Sequence, residues 1–181
     1  MLIFPQKLTN NVKKLLAFLL ISSIAATGWS QDMPNDEQTT NELKLNTFNL
    51  IAFNFVDVSY ENLLNKESSL GISILFNLRE DNDILDYFRN FSITPYYRQY
   101  FSKQYAKGFF AEGFGMLNSG KRFDDSDNYT DFALGISVGG KFVTQKGFVV
   151  EIYSGLGRNL LEDEFAPEVV TRGGISMGYR F

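Results

Sequence analysis

Long runs of the sequence alternate between apolar and polar residues with a period of two. From Ser69 to Arg79 every second residue is large and apolar, and Leu75 is the exception on the other face. The stretches Asp131–Val143 and Arg172–Phe181 repeat the pattern, and their less apolar faces are rich in glycine and serine. Side chains alternate between the two faces of a β-sheet, whereas the apolar residues of an amphipathic helix recur every three to four positions. The alternation therefore predicts strands.

Eight such segments are predicted after residue 43. They are Lys44–Phe53, Val56–Leu64, Ser69–Arg79, Phe91–Phe101, Gly108–Asn118, Asp131–Val143, Gly147–Arg158 and Arg172–Phe181. The first differs from the others because apolar residues appear on both of its faces. Most are longer than the ~5–6 residues of a typical soluble strand and match the ~9–11 residues of a tilted membrane strand. An even number of antiparallel strands can close into a barrel whose two termini lie at the same end.

The links between the predicted strands alternate in length. Those after the second, fourth and sixth strands are short, namely "NKE", "SKQYAK" and "TQK". Those after the third, fifth and seventh strands are long and acidic, namely "EDNDILDYFRN", "SGKRFDDSDNYT" and "NLLEDEFAPEVVT". Short turns at one end and long loops at the other are typical of outer-membrane barrels. The link after the first strand, at about Asn54 and Phe55, is an exception, because it is tight where a long loop is expected.

The first thirty residues have the pattern of a secretory signal peptide. Three lysines precede the apolar run from Leu15 to Ala26, and small residues follow it. This predicts export and cleavage after Ser30. Residues 31–43 are polar and acidic, which predicts a flexible periplasmic leader, and residues 44–181 are assigned to the barrel. Three of the 17 basic residues and none of the 21 acidic ones lie within residues 1–30, so the mature chain would carry a net charge of −7.

The composition argues against several classes of function. Nucleic-acid binding needs a basic face, and this chain is acidic. There is no histidine and no cysteine, so the usual general base, the commonest metal ligand and a thiol nucleophile are all missing. The acidic stretch Asp124–Asp131 lacks the central glycine and the final glutamate of a calcium loop and is interpreted as a solvated loop. We therefore predict no enzymatic activity, no metal site and no cofactor.

Two closed barrels fit a period-two pattern. A soluble barrel would have its apolar face inside and could carry a small apolar ligand, whereas a membrane barrel would turn the same face toward lipid. The less apolar face mixes charged residues with glycine, serine and tyrosine. Such a mixture suits the narrow lumen of an eight-stranded barrel, which side chains just fill, while glycine in mid-strand would weaken a soluble exterior. The sequence thus predicts an all-β fold, a closed eight-stranded antiparallel up-and-down transmembrane β-barrel.

The charged residues of the less apolar face are the candidate site. They are Asp57, Glu61, Arg98, Glu112, Lys141, Glu151, Arg172 and Arg180. A buried unpaired ion is expensive, so acids and bases that share a lumen should form a connected network. We expect this network to be structural and to plug the barrel. A narrow outer-membrane channel is the alternative if the side chains leave an open path.

Four short motifs carry a family resemblance. They are "DVSYE" at Asp57–Glu61, "TPYYRQYF" at Thr94–Phe101, "GFVVE" at Gly147–Glu151 and the terminal "GYRF" at Gly178–Phe181. Through them, residues 44–181 resemble the small eight-stranded bacterial outer-membrane barrels, the group of the OmpA transmembrane domain and its uncharacterised single-domain relatives. The resemblance implies a Gram-negative outer membrane, contact with its lipid, and a terminal aromatic signal for the barrel-assembly machinery, here Phe181 with Tyr179. We expect a monomer with a structural or surface-interaction role and an extracellular partner that the sequence does not name.

Overall fold

The computed structural model describes residues 39–78, 87–102, 104–122, 128–161 and 167–181. Within these ranges the chain forms eight strands and one helix. They are β1 (Asn41–Asn46), α1 (Thr47–Phe53), β2 (Phe55–Leu63), β3 (Ser68–Asn77), β4 (Tyr87–Tyr100), β5 (Gly108–Arg122), β6 (Asn128–Val143), β7 (Phe148–Asn159) and β8 (Val169–Arg180). The predicted signal peptide, residues 1–30, and residues 31–38 of the predicted leader lie outside the described residues.

The strands form one closed antiparallel barrel. Each strand pairs with the next along the chain, and β8 pairs with β1 to close the wall. Following paired residues around the barrel from Glu42 leads to Val170, ten residues short of Arg180, with which Glu42 itself pairs. For a strand rise of ~3.3 Å and a strand spacing of ~4.8 Å, this stagger tilts the strands by about 40° from the barrel axis. The predicted closed eight-stranded barrel is confirmed.

The two ends of the barrel differ in their connections. One end, which we call the terminus end, carries the beginning of β1, the end of β8 and the links 64–67, 101–107 and 144–147. The opposite end, the loop end, carries α1 and the links 78–86, 123–127 and 160–168. Most of the residues in these three acidic links lie outside the described ranges. Four strands also reach at least three residues further toward the loop end than predicted, namely β4, β5, β6 and β8.

The first predicted strand is wrong over most of its length. It was expected to run from Lys44 to Phe53, but β1 ends at Asn46 and α1 takes up the next seven residues. The Asn46 side chain accepts a hydrogen bond from the Asn49 backbone N–H at 3.1 Å and caps the helix. Asn54 adopts a left-handed conformation (φ 59°) and ends it. The apolar residues on both faces of this segment are therefore those of a helix, which also explains the tight link that follows.

The start of β1 corrects the predicted leader. β1 begins at Asn41, so residues 41–43 belong to the barrel wall and not to the leader. Leu43 lies half-exposed on the outer face, while Glu42 and Lys44 on either side of it are buried inside. The alternation that defines the other strands thus extends three residues further toward the N-terminus than expected.

The helix α1 completes the wall where β1 is too short. β1 pairs with β8 only as far as Ser176, so the first seven residues of β8 have no strand partner on that side among the described strands. α1 packs in this space between β8 and β2. The Thr47 hydroxyl donates to the Ile175 backbone oxygen at 3.0 Å, and the Asn46 amide donates to the Gly173 oxygen at 3.1 Å. These side-chain bonds replace part of the ladder that a longer β1 would have made.

Side chains sort between the two faces of the wall. Most charged residues of the described strands point inward, with the exposed Arg158 near the loop end of β7 as an exception, and large apolar residues such as Ile136 (73 % exposed) and Phe142 (69 % exposed) point outward. No helix within the described ranges is long and apolar enough to span a membrane. The exposures of the side chains thus give a barrel with a polar centre and an apolar outer wall.

Candidate functional site

Glu61 on β2 lies at the centre of the barrel interior. Its carboxylate accepts hydrogen bonds from Lys141 Nζ at 2.7 Å and Arg98 Nη1 at 2.9 Å, and it also contacts Lys44 Nζ. Two hydroxyl groups from neighbouring strands donate to the same carboxylate, those of Ser69 and Tyr100. Because its three cationic partners come from β1, β4 and β6, this one side chain on β2 links four of the eight strands.

Arg98 on β4 reaches three carboxylates. Its Nε donates to Glu112 at 2.6 Å, and its Nη1 donates to Glu61 at 2.9 Å and to Glu151 at 2.8 Å. The guanidinium also stacks over the Phe110 ring, with 4.3 Å from Cζ to the ring centroid. A planar group with five donors can serve several acceptors at fixed angles, which a lysine ammonium in this position could not do as well.

The ion pairs form one continuous path along the barrel. Arg180 donates to Glu42 at 2.6 Å at the terminus end, and Arg172 donates to Glu112 at 2.8 Å on the side of the loop end. Lys141 connects Glu42 to Glu61 with 2.7 Å to each. We call this set the ionic network; it consists of Glu42, Lys44, Glu61, Arg98, Glu112, Lys141, Glu151, Arg172 and Arg180.

The structure places all eight candidate residues inside the barrel, each between 0 and 9 % exposed. Seven of them join the ionic network. Asp57 does not form a salt bridge with any described cation. Its carboxylate instead accepts hydrogen bonds from the Asn46 and Asn49 amides, at 3.2 Å each, and from the Ser73 hydroxyl.

Two members of the ionic network were missed in the sequence. Glu42 was assigned to the leader, and Lys44 was not recognised as a lumen residue because its segment lacked a clear polar face. Lys44 Nζ bonds to Glu151 at 3.0 Å and lies 3.4 Å from Glu42. The alternation of residues 42–46, in which leucines separate the polar residues, is the signal that could have found both. The ionic network and Asp57 together hold five acidic and five basic residues, and the buried Asp131 on β6 lies outside this set.

Aromatic rings fill the space above and below the charges. One buried cluster contains Leu63, Tyr100, Ala106, Phe110 and Tyr153, and the other contains Tyr96, Phe114, Met116, Ala133 and Val170. A side chain at Gly71 would collide with the Tyr96 ring, and one at Gly135 would collide with the Phe114 ring. Glycine is thus required on the inner face because aromatic rings occupy the room that its side chain would need.

The charged groups of this interior are paired with one another. Every carboxylate of the ionic network forms an ion pair with at least one cation. No group of three or more Asp or Glu residues in the described ranges is arranged to hold a metal ion. What the arrangement can do is cross-link the wall from within.

The predicted assembly signal lies on the outside of the barrel. Tyr179 is 40 % exposed and Phe181 is 53 % exposed, both at the terminus end. The Phe181 backbone N–H donates to the Asn41 oxygen at 2.8 Å, and the Asn41 N–H donates back at 3.0 Å. The last residue is thus fixed by β1 while its ring remains accessible.

Comparison with known proteins gives no assignment. No protein-family model matches this chain, and the comparisons with curated proteins and with solved structures give no match either. Function must therefore be inferred from the barrel itself.

Proposed function

We propose that this chain is an integral outer-membrane β-barrel with a structural or surface-interaction role. Its outer wall would contact lipid, its lumen would be plugged by the ionic network, and its three acidic loops would face the outside of the cell. The proposal also includes export through the N-terminal signal peptide and recognition of Phe181 by the barrel-assembly machinery. It involves no catalysis and no cofactor.

The observation that carries this proposal is the inverted distribution of polarity. The outer wall exposes Ile136, Phe142, Leu156, Ile152, Leu134 and Val138 at 50–73 %, whereas the ionic network is inside. Soluble monomers rarely expose contiguous apolar patches larger than a few hundred Å², and here such residues occur on every strand. A surface of this kind is suited to hydrocarbon.

The dimensions of the wall support the same conclusion. At a tilt of about 40°, a strand of twelve residues such as β8 rises about 30 Å, enough for the ~25 Å apolar band of outer-membrane barrels. Where β1 stops short, α1 continues the apolar surface with Phe48 (45 % exposed) and Ile51 (78 % exposed). Exposed aromatic rings near the terminus end would lie at the headgroup level, among them Tyr60, Tyr97, Phe101, Phe109, Phe142, Tyr179 and Phe181.

The interior argues against the two alternatives. A soluble carrier of an apolar ligand needs an apolar cavity, but the centre of this barrel holds charges and their partners. A channel needs an open path, but Lys141 on β6 reaches across the lumen to Glu42 on β1 and Glu61 on β2, and Arg98 on β4 reaches Glu151 on β7. Eight strands enclose a lumen that side chains just fill.

Electrophoretic mobility tests the proposal directly. The detergent-extracted outer-membrane fraction is run on a denaturing gel with and without boiling. A folded, detergent-resistant barrel migrates faster in the unheated sample. Extraction of the protein from the cell envelope by buffer alone would contradict the proposal. Steady unitary conductance of the purified protein in planar bilayers would instead favour the channel alternative.

A further inference from the structure

A groove of about 440 Å³ lies on the outer wall beside α1, over strands β6, β7 and β8. Its lining includes Phe48, Val138, Gly140, Ile152, Ser154 and Ile175. All but Phe48 belong to the strands, so the groove is formed jointly by the helix and the strand wall. The outside of a cylindrical barrel is convex, and a concave site there needs a specific cause.

The cause is the replacement of a strand by a helix. An α-helix with its side chains is ~10–12 Å wide, so a helix set into the wall projects further from it than a strand does. Phe48 projects from α1 and forms one side of the groove, while Val138 and Ile152 form the other. Between these sides the wall carries small residues. A methyl group added to Gly140 would meet no atom within 4 Å, so this part of the floor is open.

The lining determines what can occupy the groove. The side chains that face it are hydrocarbon, with the Ser154 hydroxyl as an added polar group, and no acidic or basic residue takes part. Its volume falls in the ~300–1,000 Å³ range of small-ligand sites. The groove is continuous with the exposed apolar wall, since Val138 (50 %) and Ile152 (58 %) belong to both. A polar ligand would find almost no partner there, whereas an alkyl chain could enter sideways from the bilayer.

We propose that this groove binds one acyl chain of a membrane lipid, which packs between the Phe48 ring and the β6–β7 wall. The inference rests on the proposed membrane location of the barrel. On the convex wall a lipid chain touches the protein along one side, but in the groove it would contact the floor and also the Phe48 side of the helix. The chain held there should therefore exchange less readily with bulk lipid than its neighbours.

The tryptophan content makes the groove accessible to a fluorescence test. Trp29 is the sole tryptophan of the chain, and because it lies in the predicted signal peptide, W29F removes the emission of any uncleaved protein. In a W29F background, F48W places the only fluorophore at the groove, and I136W places it on the convex wall as a matched control, since Ile136 is 73 % exposed and does not line the groove. Both full-length proteins are reconstituted in phosphatidylcholine vesicles with increasing fractions of lipid brominated on its acyl chains.

The expected result is a greater loss of fluorescence for F48W than for I136W at each brominated fraction. Adding G140F, which fills the groove from its floor, should reduce the quenching of F48W and leave that of I136W unchanged. Equal quenching of the two reporters, or no effect of G140F on F48W, would overturn the groove proposal while leaving the membrane location intact. If I136W is not quenched at all, the protein is not in the bilayer and the proposed function itself fails. Heat-modifiable mobility of each variant establishes that it is folded.

Discussion

Two buried carboxylates on the same strand, Asp57 and Glu61, have opposite surroundings. They lie four residues apart on the inner face of β2, and both are almost completely buried. Glu61 is held by three cations, whereas Asp57 is held by two amides and a hydroxyl. The partners of Glu61 are anchored in strands across the barrel, but the amide partners of Asp57 come from Asn46 at the end of β1 and Asn49 in α1.

The difference shows that the barrel is stabilised in two ways along its length. Around Glu61 the wall is cross-linked by ion pairs, so removal of one charge leaves others buried without compensation. Around Asp57 the wall is closed by the short helix α1. The groups that donate hydrogen bonds to the Asp57 carboxylate are uncharged amides and a hydroxyl. Helices of this length are marginal when isolated and depend on their caps and packing. The α1 region should therefore be the part of the wall that opens most easily.

Replacing Glu61 with glutamine should have the largest effect. The change keeps the volume but leaves Lys44, Arg98 and Lys141 short of one negative charge, and breaking a buried ion pair costs about 3–5 kcal/mol. The free energy of unfolding is measured by urea titration in detergent micelles. Glu67→Gln in the exposed β2–β3 turn is the control and should change stability by less than about 0.5 kcal/mol. Equal stability of the two variants would contradict the central role of Glu61.

Replacing Asn46 with alanine should loosen the α1 region. The variant loses the helix cap, worth about 1 kcal/mol, together with one of the three donors to the Asp57 carboxylate and the side-chain donor to the Gly173 oxygen, for a total of about 2–3 kcal/mol. Hydrogen exchange should show faster exchange in α1 and in the first half of β8, with β5 and β6 unaffected. Gln145→Ala, in the exposed β6–β7 turn, serves as control. Uniform acceleration throughout the barrel would mean that α1 is not a separate weak region.

Replacing Gly174 with alanine tests the same region from β8. Gly174 has a φ of +143°, and a Cβ there would collide with the Asn46 side chain. Backbone strain of this kind costs about 1–3 kcal/mol, so we expect a loss of about 2 kcal/mol in urea titration. The matched variant Gly140→Ala adds the same methyl group to open space on the outer wall and should be nearly neutral. A neutral Gly174→Ala would show that Asn46 can move without consequence.

The smallest effect is expected for Asp57→Asn. The hydrogen-bond partners of Asp57 are uncharged, so removing its charge breaks no salt bridge between described residues. The lost acceptor capacity should cost about 1 kcal/mol. Comparison of its unfolding midpoint with that of Glu61→Gln sharpens the contrast between the two carboxylates. A loss as large as that of Glu61→Gln would place Asp57 within the ionic network after all.

The sequence predicted the strands well because burial on one face imposes a period of two, which survives in each strand independently of its neighbours. It also identified which face carries the charges, because Arg172 and Arg180 alternate in phase with glycine and serine along the last strand. The helix α1 was missed because seven residues show too few turns to establish a helical period, and the residues of "TFNLIAF" are apolar on all sides. The helix occupies the space that the short β1 leaves beside β8, and this space is recognisable only once the barrel is closed.

The ion pairs could not be assigned from the sequence for a different reason. Lys44 and Glu151 are 107 residues apart, and Arg180 and Glu42 are 138 apart. Which charges meet depends on the stagger between the strands of the closed barrel. The alternation pattern of a single strand does not reveal this stagger. Charge balance was therefore predictable as a requirement, but the individual partners were not.

The distribution of charges inside the barrel bears on how the chain finds its alignment. A strand that slips by two residues against its neighbour keeps the same face inward, so hydrophobic burial alone does not penalise the error. The slip would nevertheless move each charge on that strand by about 6.6 Å, well beyond ion-pair contact. Glu42, Glu61, Arg98 and Lys141 come from four different strands, so a misaligned barrel would bury several uncompensated charges. The ionic network thus gives the folding chain a means of discriminating against barrels that are closed but out of register.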